Sequence, residues 1–167
     1  MAARTRKTAP ASAGAARAPI EAPPLPFRIV NWIGIIDQLA TSLGNRLLAP
    51  LDLPLPQFVM LNHFSHRPDE DRTVTAVAHA LQQPQPGVTK TIQKLVEKGW
   101  LVESANPRDG RSKTLRLSRA GAARHAAAVD ALMPALGAAF ADRSPRDLER
   151  MFDDLDRLKR WLDAERD

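Results

Sequence analysis

The fold is decided by the stretch Pro84-Gln-Pro-Gly-Val-Thr-Lys-Thr-Ile-Gln-Lys-Leu-Val-Glu-Lys-Gly99. If this stretch is helical, its apolar residues recur at i, i+4, i+7 and i+8 and form one stripe, made of Val88, Ile92, Leu95 and Val96. Lys90 and Lys94 then project from the opposite side. Two ammonium groups one turn apart repel by roughly 0.2–0.5 kcal/mol on an exposed face, and this cost disappears when the face meets a polyanion. The pattern predicts a helix that packs on one side and offers positive charge on the other.

The residues before this helix predict a second helix and a tight turn. Thr73 or Thr75 can cap a helix that runs to Leu81, because a Thr hydroxyl accepts a hydrogen bond from an otherwise unpaired amide at a helix start. Residues 82–85 then form the turn, and Pro86 suits the first turn of the following helix. Two helices joined by about four residues are typical of a helix-turn-helix.

The residues after Gly99 predict a β-hairpin. Segments 100–104 and 113–117 are short and rich in β-formers, and the second alternates apolar and polar residues as a half-buried strand does. The turn formers of 106–111 separate them. A hairpin in this position is the wing of a winged helix-turn-helix.

Long apolar stripes flank this central region. Their spacing predicts helices over 27–48 and about 57–65, then one that begins after the cap Ser118 with a kink at Pro134, and a last one that begins at Ser144. These helices carry more apolar surface than one chain of this size covers. We expect part of that surface to face a second subunit.

Composition limits the class of protein. A chain of 167 residues with 44% hydrophobic residues can bury one core. It has no run of about 18 apolar residues and no secretion signal, so we expect no membrane partner and a cytoplasmic location. It has no Cys, which excludes disulfides, thiolate metal sites and a Cys nucleophile. Neither a nucleophile beside a base nor a Gly-rich phosphate loop is evident, and we predict that the protein is not an enzyme.

The net charge of +5 is unevenly distributed. Residues 71–119 carry +5 and residues 1–26 carry +3, whereas residues 27–70 and 120–167 are slightly acidic. Basic charge focused on the predicted winged region is what phosphate binding requires, although an ordinary solvated surface is the alternative. The Ala- and Pro-rich segment 1–26 is predicted to be a disordered tail, since it has too few apolar residues to offset its ordering entropy.

The sequence resembles the MarR family of winged-helix transcriptional regulators over residues 27–167. The family usually has Leu-x-x-x-Gly-Leu-Val at the end of its recognition helix, Asp-x-Arg in its wing and Leu-x-Leu-Thr-x-x-Gly at the next helix. The counterparts here are residues 95–101, 109–111 and 115–121, in that order and correctly spaced. Leu-Pro-Gln-Phe at 55–58 adds a weaker match.

The resemblance implies a mainly α fold, with a two-stranded β wing and terminal helices that form a dimerisation region. Residues 1–26 would be the tail and 27–167 a single domain. Within it, 55–118 would form the winged helix-turn-helix, and 27–50 with 119–167 the dimerisation helices. The implied function is a homodimeric regulator, a repressor, that binds a pseudo-palindromic operator in double-stranded DNA. No cofactor and no metal are implied.

The resemblance also assigns roles to individual residues. The main DNA contacts would be Thr89, Lys90 and Lys94 on the recognition helix and Arg111, which would enter the minor groove from the wing. Asp109 would hold the hairpin, and secondary contacts would be Gly87, Gln93 and Arg108. The helix start Gln85-Pro86-Gly87 departs from the family's Ser and Thr, and Gly87 could let backbone amides approach a phosphate.

A small-molecule effector is a further implication. In the family, aromatic acids bind between the dimerisation helices and the winged domain, and the nearest candidates here are Trp32, Phe58, His63 and His66. For Trp32, core packing is the favoured alternative. His63 and His66 stand at i and i+3 and would suit a metal or an anion, but no third ligand is evident and half-buried histidines are the alternative. Other classes of function left open are a winged-helix module that binds nucleic acid without sequence preference or docks a protein, and a His-dependent metal sensor.

Overall fold

The computed structural model describes residues 22–66, 72–107, 109 and 111–165. Their elements, in chain order, are α1 (Leu25–Leu48), a short 3-10 helix (Ala49–Leu51), α2 (Leu55–Ser65), α3 (Val74–Leu81), α4 (Gln85–Glu97), β1 (Leu101–Ala105), β2 (Lys113–Leu117), α5 (Arg119–Ala139) and α6 (Pro145–Ala164). The two strands form an antiparallel hairpin. The predicted mainly α fold with a two-stranded wing is confirmed.

The chain divides into two units, and the division falls within α1, between Asp37 and Gln38. Most of the predicted tail lies outside the described residues. Helix α1 begins at Leu25, two residues earlier than expected, because Pro26 fits the first turn of a helix, where no amide hydrogen is needed. The predicted domain boundaries stay predictions.

Side-chain caps start three of the helices. The Thr73 hydroxyl accepts a hydrogen bond from the Ala76 amide at 3.2 Å, so Thr73 rather than Thr75 caps α3. The hydroxyls of Ser118 and Ser144 cap α5 and α6 in the same way, as predicted. Helix α5 contains Pro134 and continues past it to Ala139; the kink expected there stays a prediction.

The core of the 38–167 unit lies under the winged region. The apolar side of α4 is buried at Val88, Ile92 and Leu95, with Val96 partly buried, so the predicted stripe is confirmed. It packs with residues from α2, α3 and both strands, among them Met60, Leu61, Phe64, Val77, Leu101 and Leu115. Removing one such Leu side chain costs about 2–5 kcal/mol, so this core fixes α4 in place.

The hairpin has an additional partner that the sequence did not indicate. Arg72 forms a one-residue bridge to β2, in which its amide donates to the Leu115 carbonyl at 3.2 Å and the Leu115 amide donates back at 2.8 Å. The first strand begins one residue later than predicted because the Trp100 amide still donates to the Leu95 carbonyl, at 2.8 Å, and completes the end of α4. The wing is therefore attached to both α3 and α4.

The terminal helices expose much apolar surface. Helix α6 has no buried residue, and its exposed large side chains are Met151, Phe152, Leu155, Trp161 and Leu162. Helix α1 likewise exposes Leu25, Phe27, Ile29, Val30, Trp32, Ile33, Ile35, Ile36, Leu39 and Leu43. Monomeric proteins rarely leave such large apolar patches uncovered. Within the described residues, no helix is long and apolar enough to cross a membrane.

Candidate nucleic-acid interface

The exposed side of α4 carries two unpaired ammonium groups. Lys90, Gln93 and Lys94 are exposed, and Thr89 is half-buried at the edge of the same side. Neither lysine forms an ion pair with another described residue. Because the buried stripe of α4 fixes the helix, both charges are held on one face but remain free to meet an anion.

Lys98, one turn further along, is fixed by the protein itself. Its ammonium group lies 2.9 Å from the Asp52 carboxylate, donates to Gln57 Oε1 at 3.1 Å and sits 4.7 Å from the centre of the Trp100 ring. The hydrogen bond from Lys98, followed by its charge, lowers the pKa of Asp52. The positive charge of Lys98 is thus used inside the fold.

Three other basic residues in or beside the winged region are similarly engaged. Lys113 pairs with Glu103 at 2.6 Å across the hairpin, and Arg72 is buried. Arg124 donates to the Leu51 carbonyl at 3.2 Å and stacks on Trp100 at 5.1 Å. The charge count of the sequence therefore overstates the charge available to an external polyanion.

The threonines of α4 have their hydroxyl protons committed to the helix. Thr89 donates to the Gln85 carbonyl at 2.9 Å and Thr91 to the Gly87 carbonyl at 3.1 Å. A hydroxyl oxygen has one proton and two lone pairs, so Thr89 keeps its capacity to accept. In this rotamer the Thr89 hydroxyl can accept a hydrogen bond from a donor on a base edge, but its proton is not available to a phosphate oxygen.

The first amides of α4 are engaged within the helix, and a contact between Gly87 and a phosphate stays a prediction. The Gly87 amide donates to the Pro84 carbonyl at 3.1 Å, the Val88 amide donates to the same carbonyl at 3.3 Å, and Pro86 has no amide hydrogen. A β-carbon built on Gly87 meets no atom within 4 Å. Nothing in the fold itself therefore requires glycine there.

The tip of the wing is closed by a network of short hydrogen bonds. The carboxylate of Asp109 accepts from the Arg111 amide at 3.0 Å, and the Asp109 carbonyl accepts from the Ser112 amide at 3.0 Å. Asn106 Nδ2 donates to Ser112 Oγ at 2.7 Å. The Arg111 side chain is exposed and forms no ion pair with a described residue. Arg108 lies outside the described residues.

Phe58 and His66 lie near a histidine that the sequence analysis did not single out as a site. Phe58 stacks on His125 with ring centres 5.6 Å apart, and His125 Nε2 donates to Asn62 Oδ1 at 3.0 Å. Burial lowers the pKa of His125, and the nearby His66 lowers it further. This cluster joins α2 to α5. Its members are far apart in sequence, so spacing alone gave no sign of it.

His63 has a different neighbour. Arg72 Nη1 donates to His63 Nε2, which must therefore be the unprotonated nitrogen. Because this nitrogen already accepts from the positively charged guanidinium group of Arg72, it is not available to bind a metal cation. Among the described residues, no three His, Asp or Glu side chains come together in a way that could hold a metal. Trp32 lies on α1 with 56% of its surface exposed.

An apolar pocket of about 200 Å³ lies between the second half of α1 and α5. None of the four predicted ligand-binding residues lines it; the lining consists of Ala40, Leu43, Gly44, Leu47, Leu55, Leu132, Ala135 and Leu136. Aliphatic residues at helical spacing predict core packing, so the sequence gave no reason to expect a gap among them. Only the relative placement of two helices creates it.

Comparison with known proteins gives one family match. Residues 51–112 match the model of the MarR family. No curated protein matches the chain in sequence.

Several solved structures share the fold. Apo MarR from E. coli superposes with a TM-score of 0.66 at 23% identity, covering 83% of this chain and 98% of that one. The S. aureus MepR–DNA complex gives 0.72 at 18% identity, covering 83% and 99%. The transcriptional regulator BldR from Sulfolobus solfataricus gives 0.71 at 20% identity, covering 80% and 93%. At these identities the likeness establishes the fold.

Proposed function

We propose that the chain is a MarR-type winged-helix protein and a homodimeric transcriptional regulator, acting as a repressor, that binds a pseudo-palindromic site in double-stranded DNA. The match of residues 51–112 to the family model and the shared fold support this proposal. The observation that carries the proposal is the pair of lysines on the exposed face of α4, neither of which forms an ion pair with another described residue, whereas Lys98 and Lys113 nearby are engaged within the fold. Lys90 and Lys94 on α4, with Arg111 on the wing, form its contact surface. As a DNA-binding regulator it would act in the cytoplasm.

The two parts of this surface suit different parts of the duplex. An α-helix fits the major groove, where Thr89 and Gln93 can reach base edges and the lysines can reach base acceptors or phosphates. A hairpin that ends in an arginine suits the narrow minor groove, where negative potential is concentrated. Of the solved relatives, the MepR structure is a complex with DNA and BldR is a transcriptional regulator, which supports the assignment.

The exposed apolar faces of α1 and α6 support a dimer. Pairing them with a second copy removes these faces from water and gives the site two-fold symmetry. Two recognition helices about 34 Å apart then meet successive turns of one face of the duplex.

The pocket beside α5 supports control by a small ligand. Its volume of about 200 Å³ suits a compact apolar or aromatic molecule, and it lies against the helix that leads out of the wing. Such a ligand changes DNA binding only if its affinity differs between DNA-competent and other spacings of the two winged domains.

Selection of genomic fragments by the full chain, followed by gel shifts, tests the proposal. We expect a preferred site with two-fold symmetry, and the variant Lys90→Ala with Lys94→Ala should lose affinity for it. Binding that depends steeply on salt but not on sequence would instead favour a nonspecific nucleic-acid-binding module. A chain that binds no DNA would overturn the proposal.

A further inference from the structure

Gln82 occupies a backbone conformation that usually belongs to glycine. It ends α3 at φ 53° and ψ 38°, in the left-handed region, and its amide donates to the carbonyls of Ala78 and His79. Helices commonly end on a residue of this conformation, but that residue is usually Gly and sometimes Asn. The backbone conformation alone therefore does not explain a glutamine at the turn before α4, whereas a role of its side chain would.

The Gln82 side chain makes a contact across the fold. Its Nε2 donates to Asp163 Oδ1 at 2.5 Å, which joins the turn between α3 and α4 to the last part of α6, 81 residues away. Helix α6 has no buried residue among those described, so this hydrogen bond is one of the contacts by which its last part reaches the winged region. Both the unusual backbone of Gln82 and its long-range hydrogen bond occur three residues before α4 begins.

We propose that Gln82 and Asp163 are a positioning pair that holds the α3–α4 turn against α6 and so fixes the entry of α4 into DNA. This inference rests on the proposed function. Neither residue touches DNA in this scheme; both act through α4, whose first residue is Gln85. Because α6 also carries the apolar face proposed to meet the second copy, the pair links the dimer to the recognition helix. Without this hydrogen bond, the α3–α4 turn has to become ordered when the protein binds DNA. This entropic cost lowers the affinity for DNA.

The experiment compares variants that break the contact with variants of equal charge that do not. Asp163→Ala breaks it, and Asp153→Ala removes an equally exposed carboxylate from the same helix. Gln82→Glu places a second carboxylate against Asp163, and Gln83→Glu adds the same charge to the neighbouring exposed residue. Combining Gln82→Glu with Asp163→Asn re-forms the hydrogen bond in the opposite direction at the native net charge. Gln83→Glu with Asp163→Ala has that net charge but no hydrogen-bonding group at position 163.

Two measurements are made on the full chain: the ratio of affinities for the selected operator and for random DNA, and the hydrogen exchange of the amides of residues 82–88. We expect Asp163→Ala to lower the ratio about threefold to tenfold relative to Asp153→Ala, which corresponds to the net contribution of one ordinary hydrogen bond. Exchange in the turn should accelerate, and the reversed pair should restore both quantities to within about twofold of the native chain.

Equal behaviour of Asp163→Ala and Asp153→Ala in both measurements would overturn the inference, as would a reversed pair that behaves like its Gln83→Glu counterpart. If the native chain binds no DNA, the proposed function fails, and the exchange data still decide whether Gln82 and Asp163 hold the turn.

Discussion

The ammonium group of Lys98 lies 2.9 Å from the carboxylate of Asp52, whereas Lys94, one turn earlier on α4, forms no ion pair with any described residue. The two lysines belong to the same helix end but serve different purposes. Lys98 connects the end of α4 to Asp52 in the segment before α2, and it also reaches Gln57 on α2 and the ring of Trp100. Lys94 remains available to a phosphate or a base.

Alanine substitution of these two lysines should therefore separate stability from DNA binding. Lys98→Ala should lower the melting temperature by about 2–4 °C, because Gln57 and Trp100 lose their partner. Lys94→Ala should leave the melting temperature unchanged but weaken operator binding and reduce the slope of log affinity against log salt by about 1. Thermal unfolding and salt-dependent fluorescence anisotropy measure the two effects. If both variants changed the same quantity, the division of roles would be wrong.

The wing should contribute through Arg111 and depend on Asp109. Arg111→Ala is expected to weaken operator binding by about 1–3 kcal/mol. Asp109→Ala should have a smaller effect in the same direction, because the Arg111 amide loses its acceptor and the tip loosens. Lys113→Ala is the control, since that lysine is already paired with Glu103. Anisotropy titrations with one operator fragment compare all three, and an Arg111→Ala variant of native affinity would remove the wing from the interface.

Two glycines should respond oppositely to alanine. A β-carbon at Gly121 would stand 2.1 Å from the Trp100 carbonyl oxygen, so Gly121→Ala must displace α5 from the wing and should destabilise the fold by about 1–3 kcal/mol or more. A β-carbon at Gly87 meets nothing within 4 Å, and Gly87→Ala on α4 should stabilise by about 0.5–1 kcal/mol. Denaturant unfolding measures both. If a stable Gly87→Ala variant lost DNA binding, the position of the added methyl group would be one that DNA has to occupy.

The parts of this fold that sequence could predict depend on local patterns. The α4 stripe follows from 3.6-residue periodicity, and the Ser118 and Ser144 caps follow from hydroxyl chemistry at helix starts. What could not be predicted depends on distant residues meeting, as in the Arg72–Leu115 bridge, the Lys98 contacts and the pocket beside α5. The same holds for two of the predicted effector residues, whose role stays a prediction: Phe58 packs on His125 and His63 on Arg72, pairings that no local spacing encodes.

His125 should make stability depend on pH. Burial, and to a lesser degree the charge of His66, lowers the pKa of His125 from its ordinary value of 6.5, so the unfolded chain binds this proton more readily than the folded one. The contribution of neutral His125 to the free energy of unfolding is therefore fully present above pH 6.5 and is lost as pH falls through the lower pKa of the folded state.

His125→Gln, which keeps a donor for Asn62, should flatten that part of the curve of unfolding free energy against pH. His79→Gln, at an exposed histidine of α3, is the matched control and should leave it unchanged. Denaturant unfolding between about pH 8 and 5 measures the free energy of unfolding of the native chain and of both variants. The difference between their pH profiles is free of the titration of carboxylates, because all three proteins share them. If the free energy of unfolding of His125→Gln depended on pH as it does in the native chain, the α2–α5 junction would tolerate the imidazolium, and the hydrogen bond to Asn62 would survive protonation.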